Sequence, residues 1–263
     1  DLFSVKGKVA LITGGSRGIG EMIASGLLAY GARVYIAARK FDACNRTAQR
    51  LVREFGGDCM ALSANLSEPA GVQKLVDEFV ERESHLDILV NNAGTAWGAP
   101  LEEFPESGWD KVMDTNVKGI FFVVQKLLPL LRCNATHEEP ARIINIGSID
   151  GIKTPLFDNF AYAASKAAVH HLTRVLAAHL VKDHVLVNAI APGPFPSWML
   201  STGVGFGGEV DSVDWDKVGK TNPRGRVGTV EDIVGVVIFL SSRAGAYTVG
   251  DVITCDGGMV ACS

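Results

Sequence analysis

Three polar residues near the middle of the chain have the types and spacing of a proton-transfer site. Tyr162 and Lys166 are four residues apart, and on an α-helix this spacing stacks two side chains on one face, one turn apart. A phenol has a reference pKa of about 10, and a neighbouring ammonium favours its ionised form. We therefore expect Lys166 to lower the pKa of Tyr162 and the pair to exchange protons with a substrate.

Ser148 ends a predicted strand over residues 141–148. A hydroxyl at that place can hold a substrate oxygen beside the phenol. Tyr-x-x-x-Lys also occurs by chance on helix surfaces. A catalytic role for the pair is therefore favoured only if the chain also supplies a hydride source.

Strands and helices alternate along the whole chain. Short apolar runs predict seven strands, over residues 8–13, 33–38, 58–64, 86–90, 141–148, 185–191 and 251–254. The main predicted helices cover residues 21–29, 41–55, 71–83, 107–129, 160–181 and 231–241. Pro129 is expected to kink or end the fourth helix. This alternation is typical of one α/β domain, spanning residues 1–263, with a parallel sheet covered by helices on both faces.

Every notable motif directly follows a predicted strand. Parallel strands end at one edge of their sheet, and ligands bind in the crevice beyond that edge. The motifs are the glycine-rich run 14–20, Arg39, Asn65, the run 91–94, Ser148 and the run 192–193. Their common position predicts a single binding crevice.

The segment 201–225 departs from this alternation. It contains Gly203, Gly205, Gly207 and Gly208 and few helix signals. We interpret residues 194–225 as a mobile flap over the crevice. An ordinary surface loop is the alternative.

The first predicted strand leads into a glycine-rich run of the phosphate-binding form. It reads Gly14-Gly15-Ser16-Arg17-Gly18-Ile19-Gly20. Glycines allow unusual backbone angles and close approach of a pyrophosphate, and the following helix start offers free N–H groups. Its place between a strand and a helix predicts a dinucleotide site.

Basic residues after the second strand indicate which dinucleotide binds. Folds that prefer NAD usually place an acidic residue there, to hold the ribose 2′-OH. This chain has Arg39 and Lys40 instead, and Arg17 in the glycine run would face the same place. Guanidinium groups suit a 2′-phosphate, so we predict NADP(H). The alternative is that these are solvated surface charges.

Together these motifs resemble the short-chain dehydrogenase/reductase family in its main single-domain form. The matching residues follow the family's order and span nearly the whole chain. They are the run 13–20, the run 91–94, Asn116, Ser148, Tyr162 with Lys166, and Pro192 with Gly193. The resemblance implies a doubly wound parallel Rossmann sheet of seven strands and an NADP-dependent oxidoreductase.

The resemblance also implies four catalytic roles. Tyr162 would be the acid/base, and Ser148 would bind the substrate carbonyl. Lys166 would lower the pKa of Tyr162 and hold the nicotinamide ribose. Asn116 would fix the helix geometry that carries a water-linked proton relay to Lys166; a packed polar group without chemistry is the alternative.

A larger set of residues is implied to bind the cofactor. It comprises Gly14, Ser16, Arg17, Gly18, Ile19, Gly20, Arg39, Lys40, Asn65, Leu66, Asn92, Ala93, Gly94, Tyr162, Lys166, Pro192, Gly193, Phe195 and Ser197. Asn65 departs from the family, where many members have an acidic residue, but its amide oxygen can still accept a bond from the adenine amino group. The run 194–196, Pro-Phe-Pro, is a second departure.

Other residues keep two interpretations. Trp97 and Phe195 either line the substrate cavity or only pack. His170 and His171 are interpreted as ordinary helix residues without a role.

Composition excludes several other classes of function. The 263 residues include 25 basic and 29 acidic side chains, a net charge of −4, which does not indicate nucleic acid or an anionic membrane as a partner. Apolar runs are too short for a membrane span, and residues 1–8 lack a signal pattern. The five scattered cysteines show no metal-ligand spacing and favour a cytoplasmic protein.

Within the family, the chain is most similar to the 3-oxoacyl-[acyl-carrier-protein] reductases, in residues 94–99, 107–109 and 191–197. This implies reduction of a 3-oxoacyl thioester of acyl carrier protein or coenzyme A, in fatty acid metabolism. Sugar-acid, polyol and steroid-type ketone reductases remain the alternative, and an NADPH-binding sensor the non-enzyme one. A carrier protein would need a basic patch, for which Lys217, Lys220, Arg224 and Arg226 are candidates; ordinary surface charge is the other interpretation.

The resemblance further implies a homo-oligomer, either a tetramer or a dimer. Residues 119–124 and 167–180 are apolar on more than one helix face, as in helices that are buried or form interfaces.

The basic residues after the second strand lead to a measurable cofactor preference. A charge-assisted hydrogen bond contributes about 1.5–3 kcal/mol, which corresponds to roughly a tenfold to hundredfold preference for each bond. We expect kcat/KM with NADPH to exceed kcat/KM with NADH, measured by initial rates on one ketone. A ratio below one would contradict the assignment.

Overall fold

The computed structural model describes residues 1–155, 157–203 and 209–262 of the chain. Seven parallel strands form one sheet in the described residues, in the order β3-β2-β1-β4-β5-β6-β7. The strands are β1 (Val9–Thr13), β2 (Arg33–Ala38), β3 (Cys59–Ser63), β4 (Ile88–Asn91), β5 (Ala141–Ile146), β6 (Val185–Pro192) and β7 (Val252–Cys255). The predicted doubly wound Rossmann sheet is confirmed.

Eight α-helices connect and cover the strands in these residues. They are α1 (Gly18–Ala29), α2 (Phe41–Phe55), α3 (Pro69–Val80), α4 (Glu106–Met113), α5 (Gly119–Cys133), α6 (Phe160–Leu180), α7 (Trp215–Gly219) and α8 (Val230–Ser241). Helices α1, α2 and α8 share one core with the sheet, and α3, α5 and α6 share the core on its opposite face.

Alternation along the strands creates these two cores. Ala10 and Ile12 of β1 lie in the first core, and Val9 and Leu11 lie in the second, because neighbouring side chains on a strand point to opposite faces. Both sets are almost fully buried, so β1 is apolar along its whole length.

The strand order reverses beside β1, which pairs with both β2 and β4. Thr13 at the end of β1 lies opposite Asn91 of β4, and Asn91 lies opposite Asn145 of β5. A crevice opens where crossover connections leave such a switch point in opposite directions. The loops after β1, β4 and β5 therefore meet there, as the positions of the motifs predicted.

The long helix predicted from residue 107 differs from expectation in two ways. A π-helical turn, Asp114–Lys118, divides it into α4 and α5, and α5 continues past Pro129 to Cys133. Of the two outcomes expected for Pro129, the end of the helix is therefore wrong, and a kink stays a prediction. A proline removes one backbone hydrogen bond, but Leu127 and Leu131 on either side are fully buried and hold the helix against the sheet.

The proposed flap, residues 194–225, contains more regular structure than predicted. It includes a π-helical turn, Met199–Gly203, a 3₁₀ turn, Val210–Ser212, and helix α7. Gly205, Gly207 and Gly208 lie outside the described residues. The mobility of the flap stays a prediction.

None of the helices in the described ranges has the length and apolar character required to cross a bilayer.

Arg142 of β5 is a buried cation that joins the sheet to α8. It is 3% exposed and donates from Nε to Leu240 O (3.0 Å), from Nη1 to Pro140 O (2.9 Å) and from Nη2 to Ser242 O (3.0 Å). Two of these carbonyls lie at the C-terminal end of α8, where the helix dipole attracts positive charge. Burial lowers the pKa of Arg142 to about 10, so the guanidinium remains charged at neutral pH.

We expect Arg142→Met to lower the free energy of unfolding by about 3 kcal/mol or more. The substitution leaves three buried carbonyls without a hydrogen-bond donor, and each unpaired group costs about 1–3 kcal/mol. Urea denaturation measures the change. Arg132→Met is the matched control, since Arg132 pairs with Asp183 at the surface, where such pairs contribute less than about 1 kcal/mol. Equal losses in the two variants would show that the Arg142 contacts add nothing.

Candidate active site

The predicted proton-transfer residues lie together at the carboxyl end of β5. Lys166 Nζ lies 5.4 Å from the centroid of the Tyr162 ring, on the same face of α6. It donates to the carbonyl of Ile146, the last residue of β5, at 2.7 Å. Ser148 follows two residues later, and its hydroxyl forms a hydrogen bond with the Tyr162 phenol. The helix and the strand end thus bring the three side chains to one place.

The loop after β5 orients the Ser148 hydroxyl. Ser148 Oγ accepts a hydrogen bond from the backbone N–H of Asp150 at 3.1 Å. This bond uses a lone pair of the oxygen and leaves its proton free to be donated. Ser148 can therefore donate to an oxygen placed beside the phenol.

The electrostatics of Tyr162 differ from the sequence-based expectation. Burial raises the pKa of Tyr162 to about 12; the bond with Ser148 lowers it, and the Asp150 carboxylate raises it. The expected net lowering of this pKa is wrong, because burial is the dominant cause. The ammonium faces the ring and bonds to Ile146 O rather than to the phenol oxygen. A phenol with this pKa keeps its proton at neutral pH, as a proton donor must.

Lys166 is itself strongly affected by its surroundings. The side chain is buried, and burial lowers the pKa of Lys166 to about 8, against the Asp150 carboxylate, which raises it. Loss of water favours the neutral amine. Lys166 can therefore gain or lose a proton near neutral pH.

Asn116 lies in the π-helical turn between α4 and α5 and is fully buried. Its Oδ1 accepts from Thr95 N–H at 2.8 Å, and its Nδ2 donates to Thr95 O at 2.9 Å and to Ser165 Oγ at 3.0 Å. A Cβ added to Gly94 would lie 3.4 Å from Asn116 Oδ1 and 3.8 Å from Lys166 Nζ. Asn116 thus joins the loop after β4 to α6 beside the ammonium, and π turns are frequent at functional sites.

The glycine run forms a cradle that side chains would fill. A Cβ added to Gly20 would lie 2.3 Å from Asn92 Nδ2, and one added to Gly14 would lie 2.8 Å from Ala93 Cα. Gly14 also has a φ of +67°, in the left-handed region that favours glycine. Asn92 Nδ2 donates to both Thr13 O and Gly14 O at 3.0 Å. The loops after β1 and β4 therefore brace each other at the start of α1, where free N–H groups attract an anion.

Two guanidinium groups approach each other beside this cradle. Burial lowers the pKa of Arg17, and the positive charge of Arg39 lowers it further. Neither arginine forms an ion pair with a carboxylate within the described ranges. Arg17 instead stacks on the ring of Trp198, 4.3 Å from its centroid, and Lys40 is exposed next to Arg39. This cluster of positive charge fits a 2′-phosphate better than a bare ribose.

The residues after β6 are only partly brought to the crevice. Gly193 N–H donates to Cys255 O at 3.0 Å, which fixes the chain as it leaves Pro192. A Cβ added to Gly18 would lie 3.4 Å from Ser197 Cβ, so Ser197 adjoins the glycine cradle. Phe195 is different: it is 3% exposed and lies in the core shared with α1 and α8, as the packing alternative predicted.

The residues after β3 are held by local contacts. Asn65 Nδ2 donates to Glu68 Oε1 at 2.8 Å, and Asn65 Oδ1 accepts from Ser67 Oγ at 2.9 Å. Leu66 is buried and packs in the second core, and Ile19 packs on the first. The remaining lone pair of Asn65 Oδ1 can still accept a bond.

Trp97 packs on helix α4. A Cβ added to Gly108 would lie 2.7 Å from the Trp97 ring, and Lys111 Nζ lies 5.3 Å from its centroid. The ring therefore serves to join the loop after β4 to α4.

The sequence interpretation missed the contacts of two residues with the site. His170, taken as an ordinary helix residue, accepts from the backbone N–H of Ser148 at 3.4 Å. Asp150 lies close enough to affect the pKa of both Tyr162 and Lys166. His170 follows Lys166 by four residues and Asp150 follows Ser148 by two, and that periodicity is the signal that could have identified them.

The chain is similar to known proteins over nearly its whole length. The profile of the family described as short chain dehydrogenase matches residues 8–205. A rhamnolipids biosynthesis 3-oxoacyl-[acyl-carrier-protein] reductase of Pseudomonas aeruginosa is 50% identical over 256 residues, covering 97% of each chain. A gluconate 5-dehydrogenase of Gluconobacter oxydans is 36% identical over 98% of this chain and 97% of the relative. The solved Pseudomonas aeruginosa RhlG/NADP active-site complex has a TM-score of 0.91 at 49% identity, over 98% of both chains.

The buried ammonium predicts an unusual dependence of stability on pH. The folded-state pKa of Lys166 is about 8, below the usual lysine value of 10.5, so the unfolded chain holds the proton more tightly. Stability then rises with pH between these values. Relative to Lys166→Met, we expect the wild-type free energy of unfolding to increase by about 2 kcal/mol between pH 7.5 and 9.5.

Urea denaturation at several pH values measures this difference. The exposed Lys182→Met is the matched control and is expected to follow the wild type. If the wild type and Lys166→Met keep a constant difference across the range, the ammonium is not destabilised in the folded state.

Proposed function

The chain belongs to the short-chain dehydrogenase family, and on this premise we propose that it reduces a ketone to a secondary alcohol with NADPH. The observation that carries the proposal is the meeting of Tyr162, Ser148 and Lys166 at the end of β5. The glycine cradle lies at the ends of the neighbouring strands of the same sheet. Proton donor and hydride site are thus parts of one crevice.

The residues of the chain fit the cofactor. We propose that the cradle and the start of α1 hold the pyrophosphate, and that Arg17, Arg39 and Lys40 hold the 2′-phosphate. The remaining proposed contacts are Ser16, Ile19, Asn65, Leu66, Asn92, Ala93, Gly94, Tyr162, Lys166, Pro192, Gly193 and Ser197. The side chain of Phe195 is buried, which leaves little of its surface for contact with the cofactor. When bound, NADPH supplies a hydride to the carbonyl carbon.

Tyr162 and Ser148 handle the oxygen of the substrate. Ser148 donates a hydrogen bond to the carbonyl and holds it beside the phenol. As negative charge develops on this oxygen, both hydroxyls stabilise it, and Tyr162 transfers its proton. The pKa of Tyr162, raised to about 12, keeps the donor protonated until the oxygen becomes basic enough to take the proton.

Lys166 and Asn116 restore the site after each proton transfer. The phenolate of Tyr162 must recover a proton, and the nearby ammonium, with its pKa lowered to about 8, can release one. Asn116 holds the loop carrying Gly94 against the ammonium. We propose that this contact fixes the path by which Lys166 is reprotonated from solvent.

A 3-oxoacyl thioester is the proposed substrate. The relative that is 50% identical carries that activity in its name. The loops around the site also expose apolar side chains, Ile152 and Trp198 among them, which suit an acyl chain. The half-buried carboxylate of Asp150, bonded to Asn159 Nδ2 at 3.0 Å, would repel an anionic sugar acid. This carboxylate therefore favours a neutral ketone over the sugar-acid alternative, although Lys153 and Lys166 partly offset its charge.

The carrier of the acyl group is proposed to be acyl carrier protein. Of the four predicted basic residues, Arg226 is engaged, since its Nη2 donates to Asp232 Oδ1 at 2.9 Å. The other three are exposed and can contact an acidic partner: Lys217, Lys220 and Arg224. Asp214 and Asp216 lie beside Lys217 and weaken the patch, so we expect coenzyme A thioesters to react as well.

We further propose a cytoplasmic homo-oligomer, a dimer or tetramer. Exposed apolar residues on α5 and α6, such as Phe121 and Val175, suit burial against a second copy. All five cysteines are free thiols, as expected in a reducing compartment.

We expect Tyr162→Phe to lower kcat for ketone reduction by about 10²- to 10⁴-fold, the usual contribution of a general acid. NADPH binding, measured by fluorescence titration, should change much less than kcat, because the phenol oxygen is one of many proposed cofactor contacts. Tyr247→Phe is the matched control, at a fully exposed tyrosine. Reduction that survives in Tyr162→Phe would refute the mechanism.

A substrate panel tests the proposed specificity through the loss of NADPH absorbance. The panel contains a 3-oxoacyl thioester on acyl carrier protein, the same thioester on coenzyme A, an anionic keto-sugar acid and a neutral ketose. We expect kcat/KM to be highest for the two thioesters. A preference for the sugar acid would favour the alternative function, and NADPH binding without turnover of any ketone would favour a sensor.

A further inference from the structure

His170 lies directly behind the loop that carries Ser148. It follows Lys166 by one helical turn, on the face of α6 that also carries Tyr162, and it is 4% exposed. Its Nε2 accepts from the backbone N–H of Ser148 at 3.4 Å.

The loop is shaped to fit the imidazole. A Cβ added to Gly147 would lie 2.1 Å from His170 Nε2, and one added to Gly151 would lie 2.9 Å from His170 Cε1 and 2.6 Å from Lys166 C. The backbone on both sides of Ser148 therefore rests directly on the ring and on α6. Any side chain at these two glycines would push the loop away.

The hydrogen bonds of His170 assign its proton. Because Nε2 accepts from Ser148, Nδ1 must carry the hydrogen in the neutral ring. Burial lowers the pKa of His170 to about 4, and the positive charges of Lys166 and Arg174 lower it further. The backbone of Gly151 raises the pKa of His170 slightly against these influences. The imidazole is therefore neutral at physiological pH and accepts a hydrogen bond from the loop at Ser148.

We propose that His170 is a positioning residue, which holds the main chain of Ser148 at the distance from Tyr162 that proton donation and carbonyl binding require. Tyr162 and His170 are two turns apart on one rigid helix. Because His170 binds the Ser148 backbone to that helix, the distance between the hydroxyls of Tyr162 and Ser148 is determined by α6 rather than by the loop. His170 itself does not reach the substrate. This inference rests on the proposed ketone reduction.

A pair of variants separates the hydrogen bond from the packing. His170→Gln and His170→Met replace the ring with unbranched side chains of similar length. Glutamine offers a strong oxygen acceptor to Ser148 N–H, whereas the methionine sulfur is only a weak acceptor. We expect kcat to fall by about 100-fold in His170→Met, the loss that a misplacement of about 1 Å can produce. In His170→Gln we expect most of kcat to be retained. The Kd for NADPH, measured by fluorescence titration, should stay unchanged in both.

A double-mutant cycle tests whether the effect passes through Ser148. In a Ser148→Ala background, His170→Met should cause no further loss of kcat, since the hydroxyl to be positioned is gone. His171→Leu is the matched control, at the exposed neighbouring residue, and should keep the activity of the wild type.

Equal losses of kcat in His170→Gln and His170→Met would overturn the proposal. So would the same loss from His170→Met with and without Ser148, because a merely structural role would act in both backgrounds. Either result leaves ketone reduction by the wild type in place. If the wild type oxidises no NADPH with any ketone, the proposed function fails first and this inference falls with it.

Discussion

The contact between α6 and the carboxyl end of β5 is the constraint on which the site depends. Thr173 accepts from Asn145 Nδ2 at 2.9 Å, and Lys166 donates to Ile146 O at 2.7 Å. The helix is thus bonded to the last two residues of the strand by side chains that are themselves buried. Because buried polar groups are costly when unpaired, sliding α6 along β5 would break several bonds at once. The phenol and the Ser148 hydroxyl inherit their spacing from this rigid contact.

The same burial determines the acid–base character of the site. It keeps Tyr162 protonated and makes Lys166 a weaker base than an exposed lysine. In both cases the loss of water disfavours the charged form, which raises the pKa of the phenol and lowers the pKa of the ammonium. Asp150 favours the protonated form of both groups. The site is therefore set to donate protons at neutral pH, which agrees with the direction of ketone reduction.

The cofactor side of the crevice follows a different principle, close approach of backbones. Asn92 binds both Thr13 and Gly14, and the glycines leave room for that contact. The guanidinium groups of Arg17 and Arg39 then lie near each other without a carboxylate partner in the part of the chain that the structure describes. Such a cluster is unfavourable alone and becomes favourable beside a phosphate.

The sequence by itself determined the sheet, the glycine cradle and the three side chains proposed to act on the substrate. All of these rest on local signals: apolar runs, glycine spacing and two side chains one turn apart. Only the tertiary structure decided what depends on burial and on contacts distant in sequence. In the tertiary structure the pKa of Tyr162 is raised rather than lowered, Phe195 lies in the core, and α5 continues past Pro129. The tertiary structure also brought His170 against the Ser148 loop. Spacing along a chain specifies which side chains share a face, but desolvation depends on everything packed around them.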